Sequence, residues 1–185
     1  NRRPSGSCTR MTRHSQMPAQ KQVFNLHQDS IPSFGIRKDW HSSMPINILA
    51  LDLEGTLISN VMSCFPRHNL YGFLEECDRL FDRVVMFTAV GYNHFKEIAE
   101  LLVSEGYVTD WFATMEYIDW WNNPKKDLNF IPNSTPDQVL FVDDMPDFVA
   151  PGQWEHYVQI KPFDQPYGKD NELARILGIL KEKLC

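Results

Sequence analysis

The chain has 185 residues, 43% of them hydrophobic and 23% charged, and a formal net charge of −6. That is enough chain for one domain with its own core plus a tail. The negative balance excludes a global positive field that would gather nucleic acid or an anionic membrane surface.

No apolar run approaches the roughly 20 residues needed to span a bilayer, and the N-terminus lacks the apolar centre of a signal peptide. The four cysteines, Cys8, Cys64, Cys77 and Cys185, form no C-x-x-C pair and no dense disulfide framework. The six histidines show no spacing that would place two on one helical face for zinc. The expectation is a cytoplasmic protein with reduced thiols and no contact with a membrane.

Residues 1–43 carry Arg2, Arg3, Arg10, Arg13 and Lys21 ahead of the first acid at Asp29, among Ser, Pro, Gln and His. This composition predicts a disordered basic segment. A domain is expected over 44–185. Ile46 to Leu51 is a short apolar run that ends in acidic and glycine residues, as a central strand buried on both faces does. Asn69 to Phe81 places Leu70, Phe73, Leu74, Cys77, Leu80 and Phe81 at helical spacing. Arg83 to Phe87 reads as a second buried strand, broken by Thr88-Ala89. A helix over about 93–104 stops at Gly106. Gln138 to Val142 reads as a third strand, His156 to Ile160 as a fourth, and Asn171 to Leu184 as a closing helix. The alternation predicts an α/β fold with a central parallel sheet, helices on both faces, and a ligand site at the carboxyl ends of the strands.

The polar clusters fall at those ends. Asp52-Leu53-Glu54-Gly55-Thr56-Leu57 follows the first strand, and alternation sends Asp52 and Glu54 to one side with Leu53 opposite. One carboxylate can attack while the other moves a proton. Gly55 permits a sharp exit, and Thr56 suits the turn. Thr88 places a hydroxyl where a phosphoryl oxygen could bind. Lys125-Lys126-Asp127 offers a fixed positive charge. Val142-Asp143-Asp144-Met145-Pro146 delivers two adjacent carboxylates, which a hard divalent cation would reconcile. Singly, each has an ordinary structural reading as a cap, a solvated lysine or an acidic turn.

In this order the clusters resemble the haloacid dehalogenase phosphatase superfamily: DLEGTL its first motif, FTA its second, KKDL its third and VDDMP its fourth. The closer likeness is to the FCP/SCP-like branch of NLI-interacting-factor-like (NIF) proteins, over about Pro45 to Leu184. The resemblance implies a three-layer Rossmann-like fold and a Mg2+-dependent phosphatase acting through an aspartyl-phosphate. It implies Asp52 as nucleophile, and Glu54 as general acid and base with its backbone carbonyl on the metal. Thr88, Ala89 and Lys126 would bind the phosphoryl group, with Asp144 a metal ligand and Asp143 a ligand or its support. Glu54 departs from the Asp usual at its position, although D-I-E-G-T occurs in enolase-phosphatases. That departure motivates a second reading, a catalytically weak homologue that binds phosphate or a protein partner.

About 30 residues separate the first motif from the strand before Thr88, and about 37 separate Thr88 from Lys126, so no large cap domain is expected. In the superfamily that the motifs resemble, an open site implies a phosphoprotein or a nucleic-acid end as substrate, with small phosphorylated molecules as a further class. Tyr117, Trp120 and Trp121 would either wall such a site or pack within the domain.

Overall fold

Alternation of side chains along each strand organises the domain. A computed structural model describes residues 45–119 and 123–185, so the expectation for 1–43 lies outside the described residues. The strands are β1 (Ile48–Leu51), β2 (Arg83–Met86), β3 (Glu116–Tyr117), β4 (Val139–Asp143) and β5 (Tyr157–Gln159). All pair in parallel, in the order β3-β2-β1-β4-β5. The helices are α1 (Leu70–Leu80), α2 (Tyr92–Ser104) and α3 (Glu172–Lys183).

Leu49, Leu51, Met86, Leu140, Val142 and Val158 face one side of the sheet. The apolar stripes of the helices cover them: Leu70, Phe73, Leu74 and Cys77 of α1; Phe95, Ile98, Ala99 and Leu102 of α2; and Leu173, Ile176 and Leu180 of α3. Spacings of three and four put each stripe on a single helical face. Ile48, Ala50, Val85, Phe87, Val139 and Phe141 face the other side and meet Ile118, Leu128 and Ile131.

The α/β class and the all-parallel sheet are as expected from the sequence. The expectation of helices on both faces needs correction. Among the described residues, all three α-helices share one core, and the second face is covered by an irregular segment with 3-10 turns at Leu128–Phe130 and Pro136–Gln138. Strand β3 escapes the sequence reading because two residues are too few to show a period. It makes His156–Ile160 the region of the fifth strand rather than the fourth.

Register places the chemistry. Leu51 pairs with Met86 on one side and Val142 on the other. Asp52 and Asp143 therefore emerge level at one sheet edge, with Thr88 just beyond β2. Strands β1 and β4 are adjacent although 87 residues lie between Leu51, the last of β1, and Val139, the first of β4.

Leu74 is fully buried against this core. Leu74→Ala should lower the unfolding free energy by about 3 kcal/mol, within the usual range for a deleted core leucine. Urea denaturation followed by circular dichroism measures it, and a change below about 1 kcal/mol would show that α1 is not docked as described.

Candidate functional site

The same alternation that builds the core sorts the carboxylates. Asp52 continues the set of Ile48 and Ala50, and Asp143 that of Val139 and Phe141, so both lie toward the irregular cover of the sheet. That cover brings Lys126. Its ammonium donates to Asp52 Oδ1 at 2.7 Å and to Asp143 Oδ2 at 2.5 Å, and it lies 5.2 Å from the centre of the Phe141 ring. Lys126 is 1% exposed, which only this pairing makes tolerable.

The loop carrying Lys126 is pinned at both ends. Its backbone N–H donates to Phe148 O at 2.8 Å. Asp127 Oδ1 accepts from Asn129 N–H at 2.9 Å and from Gln153 Nε2 at 2.7 Å, while Gln153 Oε1 accepts from Leu128 N–H at 2.9 Å. Lys125 turns away, its ammonium donating to the Asp147 carbonyl. Of the two lysines, Lys126 is the one that reaches Asp52 and Asp143.

Asp144 faces the turn after β1. Thr56 Oγ1 donates to Asp144 Oδ1 at 3.4 Å. Gly55 has φ +75°, and a Cβ there would stand 2.6 Å from Asp144 Oδ2. Glycine is required both by the left-handed backbone and by the carboxylate against it. Thr56 thus holds Asp144 as well as a turn, a role that local sequence could not display because 88 residues separate the two.

One ligand oxygen each from Asp52, Asp143 and Asp144 lies within 4.8 Å of the others. Hard oxygen donors gathered in a buried site suit a divalent cation such as magnesium or calcium. The charge state says the same. Burial first, and then the charge of Asp52, push Asp143 up to about 7 against the pull of Lys126. The same two causes push Asp144 up to about 6. Burial opposes the charge on Lys126, but Asp52 and Asp143 outweigh it and raise its pKa. The negative charge at this edge exceeds what one lysine compensates, and the donor set fits a cation.

These residues line a cleft of about 370 Å³ with Glu54, Thr88, Ala89, Met145, Asp164 and Tyr167. Asp52, Glu54, Thr88, Ala89, Lys126, Asp143 and Asp144 therefore border one space. Glu54 is exposed, and its Oε1 accepts from Val61 N–H at 3.2 Å, in the loop that leads toward α1. Thr88 Oγ1 accepts from Val90 N–H at 3.3 Å. Tyr117 has a different role: its hydroxyl donates to Val90 O at 2.7 Å and its ring stacks on Phe95. Trp120 and Trp121 lie outside the described residues.

The sequence reading missed Arg67, which is 2% exposed. It donates to Thr56 O at 2.8 Å, to Lys161 O at 2.7 Å and to Asp170 Oδ2 at 3.0 Å. Its distant partners gave no local signal. Asp164 and Tyr167 were missed for the same reason, since they reach the cleft from the segment before α3.

The five-stranded parallel α/β fold is that of a haloacid dehalogenase-like domain. The chain matches the model of the NLI interacting factor-like phosphatase family over residues 47–184 and belongs to that family. Membership implies a phosphatase acting on phosphorylated substrates. Comparison with curated proteins gives no match. Among the described residues, no helix is long and apolar enough to cross a membrane.

A carboxyl whose pKa is raised by folding binds its proton more tightly in the folded state. Asp143 and Asp144 thus remove stability from the cation-free protein as pH rises from about 4 to about 7. The lowered carboxyls, Glu76, Asp127 and Glu172, exert their effect below about pH 4.5. In EDTA, the urea midpoint should therefore fall between pH 5 and pH 7.5. A flat or rising profile would contradict the crowding of charge described here.

Proposed function

We propose that the chain is a magnesium-dependent phosphomonoesterase that works through an aspartyl-phosphate on Asp52 and accepts a phosphorylated side chain of a protein. The observation that carries this reading is the Asp52 carboxylate at the end of β1, fixed through one oxygen by Lys126 at 2.7 Å and grouped with Asp143 and Asp144.

In the first displacement an Asp52 oxygen attacks phosphorus as the ester P–O bond breaks, and Glu54 gives a proton to the departing alcohol oxygen. In the second, water attacks phosphorus, Glu54 takes its proton, and the bond to Asp52 breaks to release inorganic phosphate. Lys126 and Thr88 donate to the phosphoryl oxygens, with Ala89 beside them, so that developing charge meets fixed donors. Asp52, Asp144 and the Glu54 carbonyl would hold magnesium, which supplies charge neutralisation at the phosphoryl oxygens. Asp143, engaged by Lys126 at 2.5 Å and by Met145 N–H at 2.6 Å, supports this arrangement or adds a ligand. The absence of an inserted domain between the motifs among the described residues leaves the cleft accessible to a macromolecular substrate.

The contact between Glu54 and Val61 N–H favours one second reading. That contact engages one oxygen of the Glu54 carboxylate, and on this reading the domain acts as a phosphate-binding module. Hydrolysis of para-nitrophenyl phosphate separates the two, because a module binds phosphate and releases none from an ester.

Asp52→Asn is nearly isosteric and removes the nucleophile, so magnesium-dependent turnover should fall by at least about 10⁴-fold with the fold intact. Substantial residual turnover would reassign the nucleophile. Asp144→Asn should raise the magnesium concentration for half-maximal rate by at least about tenfold. An unchanged magnesium profile would remove Asp144 from the ligand set.

A further inference from the structure

We propose that Arg67 is a positioning residue that holds the turn behind Asp144 and so sets the affinity of the carboxylate cluster for magnesium; this rests on the metal reading given above. Arg67 lies after the loop that leaves the first motif, just ahead of α1. Its side chain is 1% exposed. A buried guanidinium is strongly unfavourable unless its N–H groups are met, and here they are met from two directions.

One arm holds the turn. Nη1 donates to Thr56 O at 2.8 Å and, more weakly, to Gly55 O at 3.4 Å. Both residues bear on Asp144: Thr56 through its hydroxyl at 3.4 Å, and Gly55 through its bare Cα, which leaves room for the carboxylate. Gly55 O also accepts from Phe163 N–H at 2.8 Å, and the guanidinium carbon lies 5.0 Å from the centre of the Phe163 ring. The second arm reaches the other end of the chain. Nη2 donates to Lys161 O at 2.7 Å, and Nε to Asp170 Oδ2 at 3.0 Å. Asp170 Oδ1 in turn accepts from Glu172 N–H at 3.3 Å, at the start of α3.

The two arms give separable consequences. Loss of the Asp170 arm loosens the segment before α3. Loss of the fork at the turn releases Thr56 and Gly55, and with them Asp144. Lysine in place of Arg67 keeps the charge but lacks the planar fork that meets two directions at once. A merely structural ion pair predicts no such distinction.

The test compares wild type, Arg67→Lys and Asp170→Asn by calorimetric titration with magnesium alone, beside hydrolysis of para-nitrophenyl phosphate. Arg67→Lys is expected to weaken magnesium binding by about 10- to 100-fold, with the ester KM at saturating magnesium changed by less than about twofold. Asp170→Asn is expected to lower the urea midpoint while magnesium affinity stays within about twofold. Folded Arg67→Lys protein that binds magnesium as wild type does, equal weakening by Asp170→Asn, or wild type that binds no magnesium would each overturn the proposal. The phosphatase reading is judged separately. Wild type that binds magnesium and loses affinity in Arg67→Lys, yet hydrolyses no ester, upholds the role of Arg67 and removes the activity. Should Arg67→Lys fail to fold, the Arg67 Nε–H resonance of wild type decides. It is expected to move during magnesium titration, and a signal fixed through saturation overturns the proposal.

Discussion

The organisation of the site depends on one buried contact, the Lys126 ammonium held between Asp52 and Asp143. Burying a charge at this depth is costly without a counter-charge, and this contact supplies one to each side. The contact dictates which segment must cover the second face of the sheet. An irregular strap delivers Lys126 there, and Asp127 and Gln153 fix that strap by side-chain bonds to its own backbone. The polar clamp thus takes over the ordering role that a helix would otherwise have.

The adjacent acids Asp143 and Asp144 divide where β4 ends. Asp143 turns toward Lys126, and Asp144 turns toward Gly55 and Thr56. Asp143 closes β4 and Asp144 lies at the bend just beyond it, so adjacent identical residues acquire different surroundings. One is committed to an internal cation, and the other remains at the cleft beside Asp52. Asp143 is further anchored through its backbone carbonyl, which accepts from the Tyr157 hydroxyl at 2.9 Å. Burial, with the nearby carboxylates adding to it, raises the pKa of that tyrosine and keeps it a neutral donor.

Much of this architecture was legible in the sequence because period-2 and period-3.6 patterns are local. The apolar runs of β1, β2 and β4 and the stripes of α1, α2 and α3 each announce themselves within about a dozen residues. So do the acids, the threonine and the lysine at the strand ends. What escaped has a common cause: Arg67 with Asp170, Thr56 with Asp144, and Gln153 with Asp127 are pairings across 103, 88 and 26 residues. Composition carries no record of such distances. Strand β3 escaped because it is short, and the helix-free face because Ile118, Leu128 and Ile131 are too widely spaced to form a periodic stretch.

The brevity of the outer strands has its own effect. Strand β3 contributes two residues and β5 three, against four or five in the strands between them. A sheet border is a template on which another chain can add, and the hazard grows with the length of unpaired backbone it presents. Here the borders present very little, and Arg83 of β2 reaches across to Glu116 of β3 with a two-pronged ion pair at 2.8 and 2.9 Å. The charged, truncated margin lets a strongly apolar sheet terminate itself, which protects the chain from edge-to-edge aggregation while its interior stays rich in β-branched and aromatic residues.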